Sequence, residues 1–108
     1  MSTTPDFIDY VCEQISGAGN IRHRKMFGEY MVYVNDKPVL LVCDNTVFVK
    51  ILPCIENLME NSPKGFPYKG AKEHYILDID NASFAKDVAR ILEKNMPLPK
   101  SRTKTNKK

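Results

Sequence analysis

Three runs of β-forming residues, broken by pairs of asparagine and aspartate, constrain this chain more than any other feature. Tyr30-Met31-Val32-Tyr33-Val34 is followed by Asn35-Asp36-Lys37, then by Pro38-Val39-Leu40-Leu41-Val42-Cys43. Asp44-Asn45 comes next, and then Thr46-Val47-Phe48-Val49-Lys50-Ile51. Asn and Asp tolerate positive φ, so short breaks of this kind between β-branched runs are hairpin punctuation. The stretch predicts an antiparallel meander. Successive side chains on a strand point to opposite faces, and here apolar residues fall on both. The second face is therefore expected to be covered in part, by a loop or by a partner.

The segments on either side supply the remaining elements. Ile21 to Phe27 reads as a further strand, with Arg22, Arg24 and Met26 on one face and His23, Lys25 and Phe27 on the other. Gly28 then marks a bulge or a sharp bend into the meander. Ahead of that strand, Phe7, Ile8, Val11, Cys12 and Ile15 recur at helical spacing, with Thr3 or Thr4 as cap and Pro5 in the first turn. This predicts a helix over residues 5–16, stopped by Gly17 and Gly19. Beyond the meander, Pro53 suits the first turn of a second, shorter helix whose apolar side is Ile55, Leu58 and Met59. Residues 66–72 read as an ordered loop and His74–Ile79 as a last strand. Asp80, Asn81 or Ser83 would cap a final helix with a Phe84, Val88, Ile91 and Leu92 stripe, ended by Asn95 and Pro97.

Strands and helices that are segregated along the chain argue for an α+β two-layer sandwich, an antiparallel sheet with helices packed on it. A length of 108 residues suits one domain with a single core. The domain is expected over residues 1–97, with a basic disordered tail over 98–108.

Charge divides along the same boundary. Lys100, Arg102, Lys104, Lys107 and Lys108 give the tail +5, which leaves 11 basic against 13 acidic residues in the body. A near-neutral body with a cationic tail differs from a compact basic DNA-binding domain. No apolar run reaches the roughly 20 residues of a membrane helix. No basic start followed by an apolar segment marks a secretory signal. Cys12, Cys43 and Cys54 are too widely spaced for a zinc or redox motif. A cytoplasmic location with reduced thiols is the expectation.

No catalytic constellation is visible. Arg22, Arg24 and Lys25 are the one basic cluster of the body, readable as contacts to phosphates or to an acidic protein, or as the charges that keep an edge strand from aggregating. Met26-Phe27-Gly28 reads as a recognition element with Phe27 exposed, or as core filling around a bend. Lys50 is either a partly buried base or a lysine whose stem packs on the sheet. Cys54 lies at an expected helix N-terminus, where the dipole would lower a thiol pKa. Tyr68 and Tyr75, with Phe66, would line a groove or anchor a loop. His23 and His74 have no partner at metal spacing, so neither a metal nor a cofactor is implied. The tail, with Lys100, Arg102 and Lys104, would give nucleic acid a salt-sensitive grip or simply be solvated.

Arg24-Lys25-Met26-Phe27-Gly28-Glu29-Tyr30, with a meander ending in Val47-Phe48-Val49-Lys50, resembles the N-terminal domain of TfoX/Sxy proteins. Phe66-Pro67-Tyr68 and His74-Tyr75-Ile76-Leu77 continue the likeness, which covers about residues 5–95. Glu29 stands where the family often has a second glycine, and Phe48 where it often has tyrosine. The resemblance implies a compact α+β domain of secretion-chaperone-like architecture and no catalytic residues to carry over. Longer members regulate natural competence with a helical second domain. The sequence stops where such a domain would begin, so a single-domain module is expected. The reading is a non-enzymatic regulatory or interaction module with a protein partner and a transcription-related role. Nucleic acid is the alternative partner, and a homodimer through an exposed strand edge stays open.

Overall fold

The computed structural model describes residues 3–26 and 29–96. Helix α1 (Pro5–Gln14) precedes a meander of β1 (Ile21–Met26), β2 (Glu29–Val34), β3 (Lys37–Cys43) and β4 (Thr46–Lys50). Two short strands follow, β5 (Lys64–Gly65) and β6 (His74–Ile76), and then helix α2 (Ala82–Asn95). The sheet order is β1-β2-β3-β4-β6-β5, and every pairing is antiparallel. This is the α+β sandwich that segregated strands and helices imply.

Local chemistry sets most boundaries. The hairpin residues Asn35, Asp36, Asp44 and Asn45 have φ of 52°, 70°, 52° and 55°. Two consecutive positive-φ residues suit the right-handed twist of the flanking strands, so each pair closes a two-residue hairpin and Lys37 joins β3. Thr4 caps α1, its hydroxyl accepting from the Phe7 N–H at 3.2 Å. Asn81 caps α2 in the same way through the Phe84 N–H. α1 ends at Gln14, two residues short of the expected limit, and the chain turns away through Gly17 at φ 99°.

Alternation along the strands separates two faces. Val32, Val34, Leu40, Val42, Val47, Val49 and Tyr75 are buried on the face that packs against Ile8, Val11 and Ile15 of α1 and Ala85, Val88, Ala89 and Leu92 of α2. Met31, Tyr33 and Leu41, on the opposite face, are only half-buried.

Three expectations are corrected. The second helix is a single 3-10 turn, Pro53–Ile55, followed by irregular turns. Its bonds mix spans of three and four residues, as in Glu56 N–H to Pro53 O and Met59 N–H to Ile55 O. The few residues between Pro53 and Pro63 are too short to repay helix nucleation. Ile55 and Met59 are nevertheless buried, while Leu58 is exposed. The last strand stops at Ile76 rather than Ile79, because only one more bond, Leu77 N–H to Val47 O, extends it. One or two strands were expected ahead of the last helix, but Lys64–Gly65, read as the end of the second helix, forms β5. The first strand ends at Met26, and the Phe27 side chain and the bend at Gly28 lie outside the described residues.

Candidate binding groove on the open face of the sheet

The face without helices carries a groove of about 260 Å³, lined by residues of β2, β3, β4, β6 and the 66–72 loop. Register builds its floor. Met31 on β2 lies opposite Leu41 on β3, Leu41 opposite Phe48 on β4, and Phe48 opposite Ile76 on β6. The register shifts between Val32 and Tyr33, so that Val39 is passed over and Pro38 faces Tyr33. Such a bulge bends its strand, and Pro38 and Val39 form one side of the groove. Phe48 is 6% exposed although it belongs to the open face. Gly65, Ile76 and His74 crowd around its ring, the His74 ring standing edge-on at 6.4 Å and 89°.

The polar end comes from the next register position. Lys50 lies directly opposite His74 across β4 and β6, and Lys72 precedes His74 by two residues. His74 Nδ1 stands 2.7 Å from the Lys72 carbonyl oxygen. A carbonyl only accepts, so Nδ1 carries the hydrogen and Nε2 is the nitrogen left for another partner. Neither the Lys50 nor the Lys72 ammonium has an ion pair or hydrogen bond among the described residues. Among the described residues no carboxylate lines the groove. Tyr68, 60% exposed, stands at the rim.

The residues singled out from sequence distribute as follows. Arg22 and Arg24 share the open face with the groove, since they pair with Tyr33 and Met31. Arg22 is held by Asp36 at 2.7 Å, with both side chains exposed. Lys25 pairs with Tyr30 and so points to the helix side, as does His23, whose ring meets Tyr30 edge-on at 5.5 Å. The basic run is thus divided between two faces at an unpaired edge. Lys50 is exposed rather than partly buried, which removes the desolvation that a lysine base requires. Cys54 sits in a three-residue 3-10 turn, too short for the aligned peptides of a helix dipole. Tyr75 is a core residue beneath the Lys64 ammonium, 5.7 Å from its ring centre, and Phe66 is 64% exposed. Phe27, Lys100, Arg102 and Lys104 lie outside the described residues.

Sequence reasoning missed Lys72 and the pairing of His74 with Lys50. The signal available was alternation in the last strand, which sets His74 and Ile76 opposite in face to the buried Tyr75. Among the described residues no three His, Cys, Asp or Glu side chains are grouped to hold a metal, and no helix is long and apolar enough to cross a membrane. The thiols outside the groove are conventional: burial raises the Cys12 pKa, with Asp9 adding to it.

Residues 13–96 match the family model described as TfoX N-terminal domain. The chain is also similar to a Spirochaeta aurantia protein described as "Uncharacterized 12.7 kDa protein in trpE 5'region". The two are 33% identical over 104 residues, which cover 94% of this chain and 90% of the relative.

Proposed function

The chain belongs to the TfoX N-terminal domain family, and on that premise we propose that it is a regulatory interaction module, without chemistry of its own, that docks a protein partner on the open face of its sheet. One observation carries this reading: an apolar floor of Met31, Leu41 and Phe48 that ends in Lys50 and Lys72, cations with no ion pair among the described residues. Arg24, directly opposite Met31, extends the same face to the β1 edge, where Arg22 and Lys25 offer further contacts. The partner is a different protein rather than a second copy at β1. Antiparallel pairing of β1 with itself about its middle would set Arg22 of one copy against Arg24 or Lys25 of the other, and like charges directly opposed destabilise a sheet. The regulatory role is transcription-related, a reading supported by family alone.

Affinity purification from the native cell, with nuclease treatment, tests the reading when run with a floor variant, Met31→Ser with Leu41→Ser. A partner that survives nuclease and is lost with the floor variant supports docking here. A partner set unchanged by the floor variant, itself folded by circular dichroism, removes the groove from the function.

One feature favours a second reading, nucleic-acid binding: a tail of five cations and no acid, including Lys100, Arg102 and Lys104. Its contacts would release counterions and weaken steeply with salt. Deleting residues 100–108 should then abolish binding to mixed duplex DNA at low salt, and unchanged affinity rules the tail out.

A further inference from the structure

The groove's own residues narrow the chemistry of the partner, given that a partner docks there at all. We propose that Lys50, Lys72 and His74 form a carboxylate-binding subsite, and that the partner enters as an extended acidic segment with a bulky apolar side chain next to the carboxylate.

Charge complementarity is the first ground. Lys50 and His74 oppose each other across the sheet with Lys72 beside them, and nothing anionic lines the groove to offset them. A basic pair in register is unfavourable alone and becomes favourable when an anion sits between its members. The bond from His74 Nδ1 to the Lys72 carbonyl fixes the ring and leaves Nε2 unused. Lys50, Lys72 and His74 line the same groove, and ammonium groups with an imidazole N–H are donors suited to carboxylate oxygens.

Size and lining give the second ground. About 260 Å³ is below the roughly 300–1,000 Å³ of pockets that enclose a small molecule or cofactor. It suits one bulky side chain with its neighbouring backbone. Met31 and Leu41 would take that side chain, and Tyr68 would close over it from the rim. A nucleic-acid strand fits less well. Among the described residues no arginine lines the groove, and arginine is the side chain whose fork matches phosphate.

The test is an amide chemical-shift titration of the ¹⁵N-labelled full chain. The probe is a blocked octapeptide of alternating leucine and glutamate, with the leucine-glutamine analogue and a single-stranded oligonucleotide of about 12 residues as comparisons. Expected are shifts at Met31, Leu41, Lys50, Lys72 and His74, and affinity at least tenfold weaker for the glutamine analogue. The Lys50→Glu, Lys72→Glu double variant should lose at least tenfold. No binding of the acidic peptide, equal binding of the glutamine analogue, retention by the double variant, or the oligonucleotide shifting the same residues would each overturn the proposal. A native partner that is lost with the floor variant but kept by the Lys50→Glu, Lys72→Glu double variant would overturn this subsite alone and leave docking on the open face intact.

Discussion

Thr3 is the one buried polar side chain among the described residues, 4% exposed, and it ties the start of the chain to the β3–β4 turn. Its hydroxyl lies 2.9 Å from Glu29 Oε1 and 3.3 Å from the Val42 carbonyl oxygen, and it accepts from the Asn45 N–H at 3.2 Å. Glu29 Oε1 also accepts from the Asp44 N–H at 3.0 Å, and Asn45 Oδ1 accepts from the Thr4 N–H at 3.0 Å. Replacing Thr3 by valine keeps the shape and removes the hydroxyl. The Asn45 N–H then lacks its acceptor and the Glu29 carboxylate loses a donor, a loss of about 2–3 kcal/mol for groups of this kind. The added methyl returns about 0.8 kcal/mol of apolar burial, so the net cost is about 2 kcal/mol. With a urea m-value of roughly 1.5 kcal/mol/M, the unfolding midpoint should fall by about 1.3 M. Thr3→Ser keeps the hydroxyl and should lose less than about 1 kcal/mol, the value of one methyl. A midpoint for Thr3→Val within about 0.3 M of the parent refutes the reasoning. So does a serine variant as weak as the valine one, because packing of the methyl would then be the whole effect.

Gly19 has φ of 153°, and a Cβ there would lie 2.8 Å from Val34 Cγ1, itself fully buried. Gly19→Ala should destabilise by about 2–4 kcal/mol through strain and overpacking, read from thermal unfolding. The Cys43 thiol is pushed up to about 11, by burial first and then by Glu29 and Asp44. At pH 8 about one thiol in a thousand would be ionised, so iodoacetamide should spare Cys43 in the native protein and modify it in denaturant. Because the native state favours the neutral thiol, its contribution to stability is present below the ordinary thiol range and disappears as pH rises through about 11. The Tyr10 hydroxyl donates to Asp80 at 2.5 Å, and that bond chiefly raises the Tyr10 pKa. Tyrosinate absorbance should show one group titrating above the usual value, absent in Tyr10→Phe. The linked stability is present below pH 10 and is lost as the pH rises past it.

The elements that could be read from sequence are those specified by neighbours in the chain. Asn35-Asp36 and Asp44-Asn45 announce hairpins because positive φ is a property of the residues themselves, and Thr4 and Asn81 cap helices through bonds three residues away. The Pro53 segment misled because Ile55 and Met59 bury as well on irregular turns as on a helix. Lys64-Gly65 is too short for periodicity and pairs only because β6 lies beside it. The same distinction governs the site. Arg22, Arg24 and Lys25 are adjacent in sequence, so they invited attention, yet alternation divides them between faces. Lys50 is far in sequence from Lys72 and His74 and meets them only through the β4–β6 register, which no local pattern encodes.

The arrangement of charge around the groove connects stability with binding. Three described cations away from the groove have carboxylate partners: Arg22 with Asp36, Lys37 with Glu93 at 3.4 Å, and Arg90 with Asp87. Lys37 also donates to the Glu93 carbonyl, fastening the start of β3 to α2. The groove lysines Lys50 and Lys72 have no such partner among the described residues, and the sheet register sets position 50 opposite His74. Lys50→Glu would replace a basic cross-strand pair by an acid–base one, a change worth about 0.2–1 kcal/mol. The same change would place an anion where the proposed ligand's carboxylate must go. The free protein should therefore gain stability, read as a higher urea midpoint, while affinity for the acidic peptide falls. That opposition separates the two explanations of Lys50: a purely structural lysine would lose stability on reversal, and a ligand-directed one would gain it.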